Sequence, residues 1–185
     1  MKLFDASVPC SVFKSRVENH EEIKPKLLGA IEDLGIHNII TLHERISNTD
    51  WHVRNDIPDF RNKKYVEIAM PLIEQHLEAL QNKTGLLSPI ISSVWFQQYG
   101  QGDYHGWHVH GRCMFSNIYY VDLDKNSAQT TFRHFGQKFA IDVEEGCILT
   151  FPSFMQHCSK HNNSQRMKTV ISFNLDFEGT KEVAI

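Results

Sequence analysis

The chain has no excess of positive charge, no CxxC pair and no apolar run approaching the roughly 20 residues that span a bilayer as a helix. Lysine and arginine number 19 against 22 aspartates and glutamates, a formal charge of -3, and they are scattered. This leaves no polybasic footprint for nucleic acid or anionic lipid, so composition names no charged partner. The four cysteines, Cys10, Cys113, Cys147 and Cys158, lack the spacing of a zinc ribbon and indicate no disulfide framework. They are expected to be reduced and mostly buried. The opening "MKLFDASVPC" lacks the apolar stretch of a signal peptide, and the expected compartment is the cytoplasm. Repeats, linkers and low-complexity segments are likewise missing. At 185 residues, a single domain over 1–185 is expected, large enough to bury its own core.

What is present divides near Gly85. In "ENHEEIKPKLLGAIEDLGI", Ile23, Leu27, Ile31 and Leu34 recur at intervals of three and four, the apolar stripe of an amphipathic helix. "KYVEIAMPLIEQHLEALQNKTG" repeats the pattern through Val66, Met70, Ile73, Leu77 and Leu80, with Pro71 as a kink and Gly85 as a stop. Beyond Gly85 come short runs rich in β-branched and aromatic residues, among them "PIISSVWFQQY", "MFSNIYYVDL", "CILTFPS" and "TVISFNLDF". The spacing predicts a mainly β barrel or sandwich with helices packed on one side: a helical support region over 1–85 and a β core over 86–178.

Eleven histidines are present, and three fall in "YHGWHVHGR", Tyr104 to Arg112. A lone histidine such as His37, His43 or His76 is most often a surface or satisfied-core residue. His108 and His110 differ: in an extended segment they point the same way, with Val109 opposite, and form a bidentate clamp. Fe(II) favours imidazole and carboxylate ligands and takes three from the protein, leaving positions open for chemistry. His157, after the strand "CILTFPS", is placed where a neighbouring strand delivers a third.

The run "YGQGDYHGWHVHGRCMFSNIYYVD", followed by "GCILTFPSFMQHCSKHNNSQRMKTVISFNL", resembles the core of the Fe(II) and 2-oxoglutarate dependent dioxygenases. It is most similar to their prolyl-hydroxylase branch and to an often phage-encoded group that shows HxH and a "SN...W" segment like "ISNTDW", Ser47 to Trp51. The resemblance implies a double-stranded β-helix, or jelly roll. It also implies Fe(II) held by His108, His110 and His157, with O2 and 2-oxoglutarate as cosubstrates. In such an enzyme, oxidative decarboxylation of 2-oxoglutarate is coupled to hydroxylation of a further substrate, a protein side chain or small molecule. The basic residue for the far carboxylate of 2-oxoglutarate falls on Arg166, nine residues beyond His157. Lys168 is on the same strand face, and Tyr120 resembles the tyrosine whose hydroxyl helps bind the cosubstrate.

Most of the superfamily has a carboxylate where this chain has His110. Three neutral imidazoles leave Fe(II) at +2 instead of +1, which changes its hold on an anion. Three arrangements therefore stand open: a working three-histidine centre, a site completed by Asp103 instead of His110, and a metal site without turnover. His105 is a substitute for one of the pair. Two other functions stay open beside the dioxygenase. One is a three-histidine cupin that uses O2 alone, against which stands the missing glutamate after HxH. The other is a non-catalytic jelly-roll binding or structural protein.

Overall fold

The computed structural model describes residues 10–35, 38–51 and 60–181. In chain order the elements are β1 (Phe13–Arg16), α1 (His20–Glu32), β2 (Ile39–Ile40), β3 (Glu44–Ile46), β4 (Asn48–Thr49), α2 (Lys64–Thr84), β5 (Leu86–Tyr99), β6 (Tyr104–His108), β7 (Phe115–Asp122), β8 (Thr130–His134), β9 (Gln137–Ala140), β10 (Cys147–Pro152), β11 (Gln156–Ser159) and β12 (Lys168–Thr180). They form two antiparallel sheets, a jelly roll, ordered β1-β10-β7-β12-β5-β4 and β2-β3-β6-β11-β8-β9. The expected fold class is borne out.

The two helices form where the apolar stripes predict them. Leu27, Ile31, Val66, Ile73, Leu77 and Leu80 are buried, and they pack with Val94, Phe96, Tyr119, Ile171 and Phe173 on the outer face of the first sheet. α2 ends at Gly85, whose left-handed φ of 74° allows its N–H to close on Gln81 O at 2.8 Å. Pro71 occupies an exposed position inside α2, where the missing hydrogen bond leaves the Glu67 carbonyl on the solvent side. His76 is a satisfied core histidine between Ser15 and Thr150, at 2.7 and 2.6 Å. His37 lies outside the described residues.

The region before Gly85 is more than helical support, because β1 to β4 add strands to both sheets. At two to four residues each they are too short for a period to show. β4 and its flank also carry a buried ionic knot. Asp50 accepts hydrogen bonds from Lys63 Nζ at 2.6 Å, Tyr65 Oη at 2.7 Å and the Phe96 amide at 2.9 Å. This ties the segment "ISNTDW" to α2 and to β5.

The Lys63 side chain is 0% exposed and that of Asp50 4%. Asp50→Ala strands a buried ammonium and should cost about 3–5 kcal/mol, the scale for breaking a buried ion pair. Urea denaturation is the measurement, and a loss under about 1 kcal/mol would show that Lys63 finds another partner.

Candidate metal centre

The pleat of three adjacent strands builds a cavity between the sheets. β12 pairs with β5 so that Lys168 opposes Tyr99, Val170 Gln97, Ser172 Trp95 and Asn174 Ser93. On its other side Ser172 opposes Ile118 and Asn174 Ser116 of β7. These alternate residues all line a cavity of about 600 Å³, whose second wall is β6 and β11. The intervening residues Ile171 and Phe173 face the helices.

His108 and His157 are directly cross-strand on β6 and β11, and His110 follows in the loop, held by its amide to Ser153 O at 3.0 Å. The three offer ligand nitrogens that all lie within 4.8 Å of one another. In each ring Nδ1 is committed to a carbonyl oxygen: Gly106 for His108 at 2.8 Å, the Asn174 side chain for His110 at 2.7 Å, and Met155 for His157 at 3.1 Å. A carbonyl only accepts, so Nδ1 carries the proton in each ring and Nε2 is left with a bare lone pair. Three bare, converging Nε2 atoms fit a divalent ion, with small side-chain rotations closing to the usual imidazole–metal distance of about 2.0–2.1 Å.

Burial lowers the His108 pKa to about 4, with the Gly106 carbonyl opposing and His110 adding. Burial and the neighbouring imidazoles hold His157 well below its ordinary value, and burial lowers His110 as well. At neutral pH all three are therefore in the form that binds metal. His105 is a fourth imidazole, stacked on His108 at 3.9 Å between centroids, with Nε2 on Glu44 at 3.1 Å; burial and the two neighbouring histidines lower it to about 3. It thus backs the His108 ring.

Asp103 is not at this centre. Its carboxylate is occupied by Ser47, the Gly100 amide and Arg45, and Glu44 is the acid that lines the cavity among the described residues.

The glycine inside "YHGWH" has a steric reason. Gly106 donates to His43 O at 2.7 Å, and a Cβ there would lie 2.6 Å from that same oxygen. Only glycine lets β3 approach β6 this closely.

Arg166 does not line the cavity. Its side chain is 58% exposed and ion-paired with Asp122 at 2.8 Å, away from the histidines. Lys168 instead enters the cavity, 1% exposed, with Nζ on Ala128 O at 2.6 Å and Ser159 Oγ at 3.0 Å and beneath the rings of Tyr99 and Tyr120. No carboxylate among the described residues pairs with it. Burial lowers its pKa to about 7. Tyr120 is buried beside Lys168 but its hydroxyl is spent on Thr130 at 2.8 Å. Tyr99 lines the cavity directly, and the alternation of "SVWFQQY" along β5 was the signal for it. Trp51 and Trp95 form an edge-to-face pair at 4.5 Å in the wall beyond His110.

Residues 93–174, which contain the three histidines and Lys168, match a family described as putative 2OG-Fe(II) oxygenase. The resemblance seen in the sequence is thereby borne out. Solved structures share the fold. A prolyl-4-hydroxylase from Pseudomonas putida aligns with a TM-score of 0.65 at 11% identity over 90% of this chain and 92% of its own. A viral collagen prolyl hydroxylase from Paramecium bursaria Chlorella virus-1, in complex with 2-oxoglutarate, aligns at 0.63 and 12% identity over 88% and 94%. A Trichoplax adhaerens prolyl hydroxylase, bound to a peptide of a hypoxia-inducible factor, aligns at 0.58 and 12% over 88% and 83%. No curated protein is a recognisable sequence relative.

His108→Ala and His157→Ala should each lose stoichiometric Fe(II), since two ligands seldom retain a labile divalent ion. His110→Asp should keep it and His110→Ala bind it more weakly; equal iron content in all four proteins would remove the histidines from ligand duty. The same rings make the metal-free protein acid-sensitive. Their folded pKa values lie below the ordinary 6.5, so between about pH 6.5 and 4 the unfolded chain binds protons that the folded one refuses. Stability without metal should fall as pH drops through that window, seen as a lower urea midpoint at pH 5 than at pH 7.

Proposed function

We propose that the family matched over residues 93–174 describes how this chain works: as an Fe(II) and 2-oxoglutarate dependent oxygenase that hydroxylates a second substrate. The observation that carries the reading is the buried, anion-less Lys168 in the same cavity as three bare imidazoles. A buried ammonium without a counter-ion is costly unless a ligand supplies one. A dicarboxylate does so.

The distance suits 2-oxoglutarate. Lys168 Nζ touches Ser159, two residues along β11 from His157, a rise of roughly 6–7 Å. One carboxylate on Lys168 thus leaves the keto-acid end within reach of the histidines, with Tyr99 and Thr130 lining the path. Lys168 anchors in place of Arg166, and Tyr120 acts only by packing on Lys168 and orienting Thr130. Fe(II), when bound by His108, His110 and His157, supplies the Lewis acid and the redox chemistry of O2 activation. The protein's share is to orient the imidazoles through their Nδ1 partners, to hold the dicarboxylate and to keep water from the enclosed wall of aromatic and aliphatic side chains. The substrate enters on the side of Trp51 and Trp95, away from Lys168.

Conversion of 2-oxoglutarate to succinate in the presence of Fe(II) and O2 is the direct test. O2 consumption without succinate would favour the cupin reading, and neither would favour a binding protein. Lys168→Ala should weaken 2-oxoglutarate by about 2–5 kcal/mol, the range for removing one partner of a buried charge pair, while Arg166→Ala leaves the affinity near that of the parent. The reverse result restores Arg166. Because the free ammonium titrates near 7 and a bound carboxylate raises it, 2-oxoglutarate binding should take up protons at pH 8 and do so less at pH 6, as buffers of different ionisation heat would reveal.

A further inference from the structure

The pleat that turns His108 inward turns Trp107 outward, and the outer face it joins is cationic. Arg133 of β8 stacks over the Trp107 indole at 4.4 Å, and Lys138 of β9 lies 5.8 Å from the same ring. Register explains the meeting: Arg133 opposes Lys138 on one side and Gln156 of β11 on the other. Lys160, exposed just past the end of β11, joins Arg133 and Lys138 in pulling down the Cys158 thiol that burial pushes up, as does the buried Lys168 from the cavity side. None of Arg133, Lys138 and Lys160 forms an ion pair among the described residues. In a chain of formal charge -3 they form a local field without a counter-charge.

Beyond the end of β6, the strand that carries Trp107, Val109 and Arg112 are among the residues that line the cavity. At the ends of the same strands, Phe135, Phe154 and Val109 are 83%, 61% and 50% exposed. His134 joins the two phenylalanines, with its ring 4.4 Å from Phe135 and 6.1 Å from Phe154. Val109 sits between His108 and His110 and lines the cavity, as does the exposed Arg112. Exposed apolar side chains at the ends of these strands, one of them in the cavity lining, with unpaired cations on the same strands, are the surface of a protein that receives part of a larger molecule.

We propose that these apolar side chains and the Trp107–Arg133–Lys138 face dock an acidic segment of a polypeptide substrate, lying next to the residue that enters the cavity. The proposal rests on the oxygenase reading for its word "substrate" and on the surface alone for its chemistry. Polypeptide is favoured over single-stranded nucleic acid on two grounds. The cations are few and the chain is acidic overall, which is too little charge for a polyanion. The one indole of the face, Trp107, is covered by Arg133 and so does not offer a bare platform for a base.

The test uses the full chain without iron or 2-oxoglutarate, so that its failure is separate from failure of the oxygenase reading. Three fluorescein-labelled probes are titrated: a twenty-residue peptide alternating Glu and Asp with Leu and Pro, the same peptide with Gln and Asn for its acids, and a twenty-residue oligothymidylate. The acidic peptide should bind saturably, at least tenfold tighter than its amide form, and weaken with salt. Arg133→Glu with Lys138→Glu should lose at least tenfold for it and gain a lysine-bearing version of the peptide, a swap that misfolding does not produce. Phe135→Ser with Phe154→Ser should lose severalfold for the acidic peptide, while both variants keep the parent's urea midpoint. Saturable binding that is absent, equal for the amide peptide, or unchanged in the charge-reversed variant overturns the proposal. Tighter binding of oligothymidylate, lost in that variant, replaces it with a nucleic-acid surface.

Discussion

β12 lies between β5 and β7 along much of its length, and its pleat sorts the chemistry of the molecule. Lys168, Val170, Ser172 and Asn174 face the cavity; Ile171 and Phe173 face the helices. A slip of one residue would exchange the two sets, placing an ammonium under α2 and a phenylalanine among the imidazoles. The helix-packed side forbids that slip, since it buries a continuous apolar cluster. The helices thus act on the site at a distance: by burying one face of β12 they fix what the other presents.

The cavity is assembled from groups that are each ill at ease when empty. Burial keeps the imidazoles neutral and lowers the pKa of Lys168 to about 7. A divalent ion on three neutral ligands brings +2, and Lys168 adds +1 once an anion stabilises its proton. A dicarboxylate supplies -2, and Glu44 beside His105 stands near enough to offset the remainder. Where a carboxylate replaces His110 in most of the superfamily, one negative charge would come from the ligand itself. Here the negative charge is that of Glu44 behind His105, one ring removed from the three converging imidazoles. Ion and cosubstrate are thereby expected to favour one another's binding, each lowering the field that the other meets.

Much of this was legible in the chain. Both helix stripes and the long strands follow from periods of 3.6 and 2, whereas the histidine pair converges although β6 ends at His108, because Ser153 and Asn174 hold His110 in the loop. The surface position of Arg166 shows where periodicity stops being informative. Arg166 and Lys168 share parity, but parity orients side chains only in a paired strand, and pairing begins at Lys168. One turn earlier, the backbone is bent by Asn162, which donates to the Arg166 carbonyl, and by Ser164, which accepts from the Arg166 amide. Asp122 then draws the guanidinium to the surface. Glu44 and Gly106 were opaque for a different reason. Their roles depend on β3 reaching β6 across some sixty residues of chain, and a three-residue strand carries no period to announce it.

"YHGWHVHGR" gathers its unusual composition because one short strand serves two surfaces. Inward it gives His105 and His108; outward it gives Trp107; Gly106 between them admits the neighbouring strand. Past the strand end, His110 turns back to the cavity and is pinned by Asn174 and Ser153, and Arg112, at a left-handed φ of 62°, ends the excursion at the mouth. Trp107 and His108 are adjacent residues on opposite sides of the same backbone. Any load on the Trp107 face is therefore carried by the peptide groups that also set the His108 ring, with no intervening hinge. His108 resists such a load through its Nδ1 bond to Gly106 and its stack on His105, both within the same strand. The strand is consequently braced where it presents imidazoles to the cavity and exposed where it meets solvent, and those two demands together account for three histidines, a tryptophan and two glycines in nine residues.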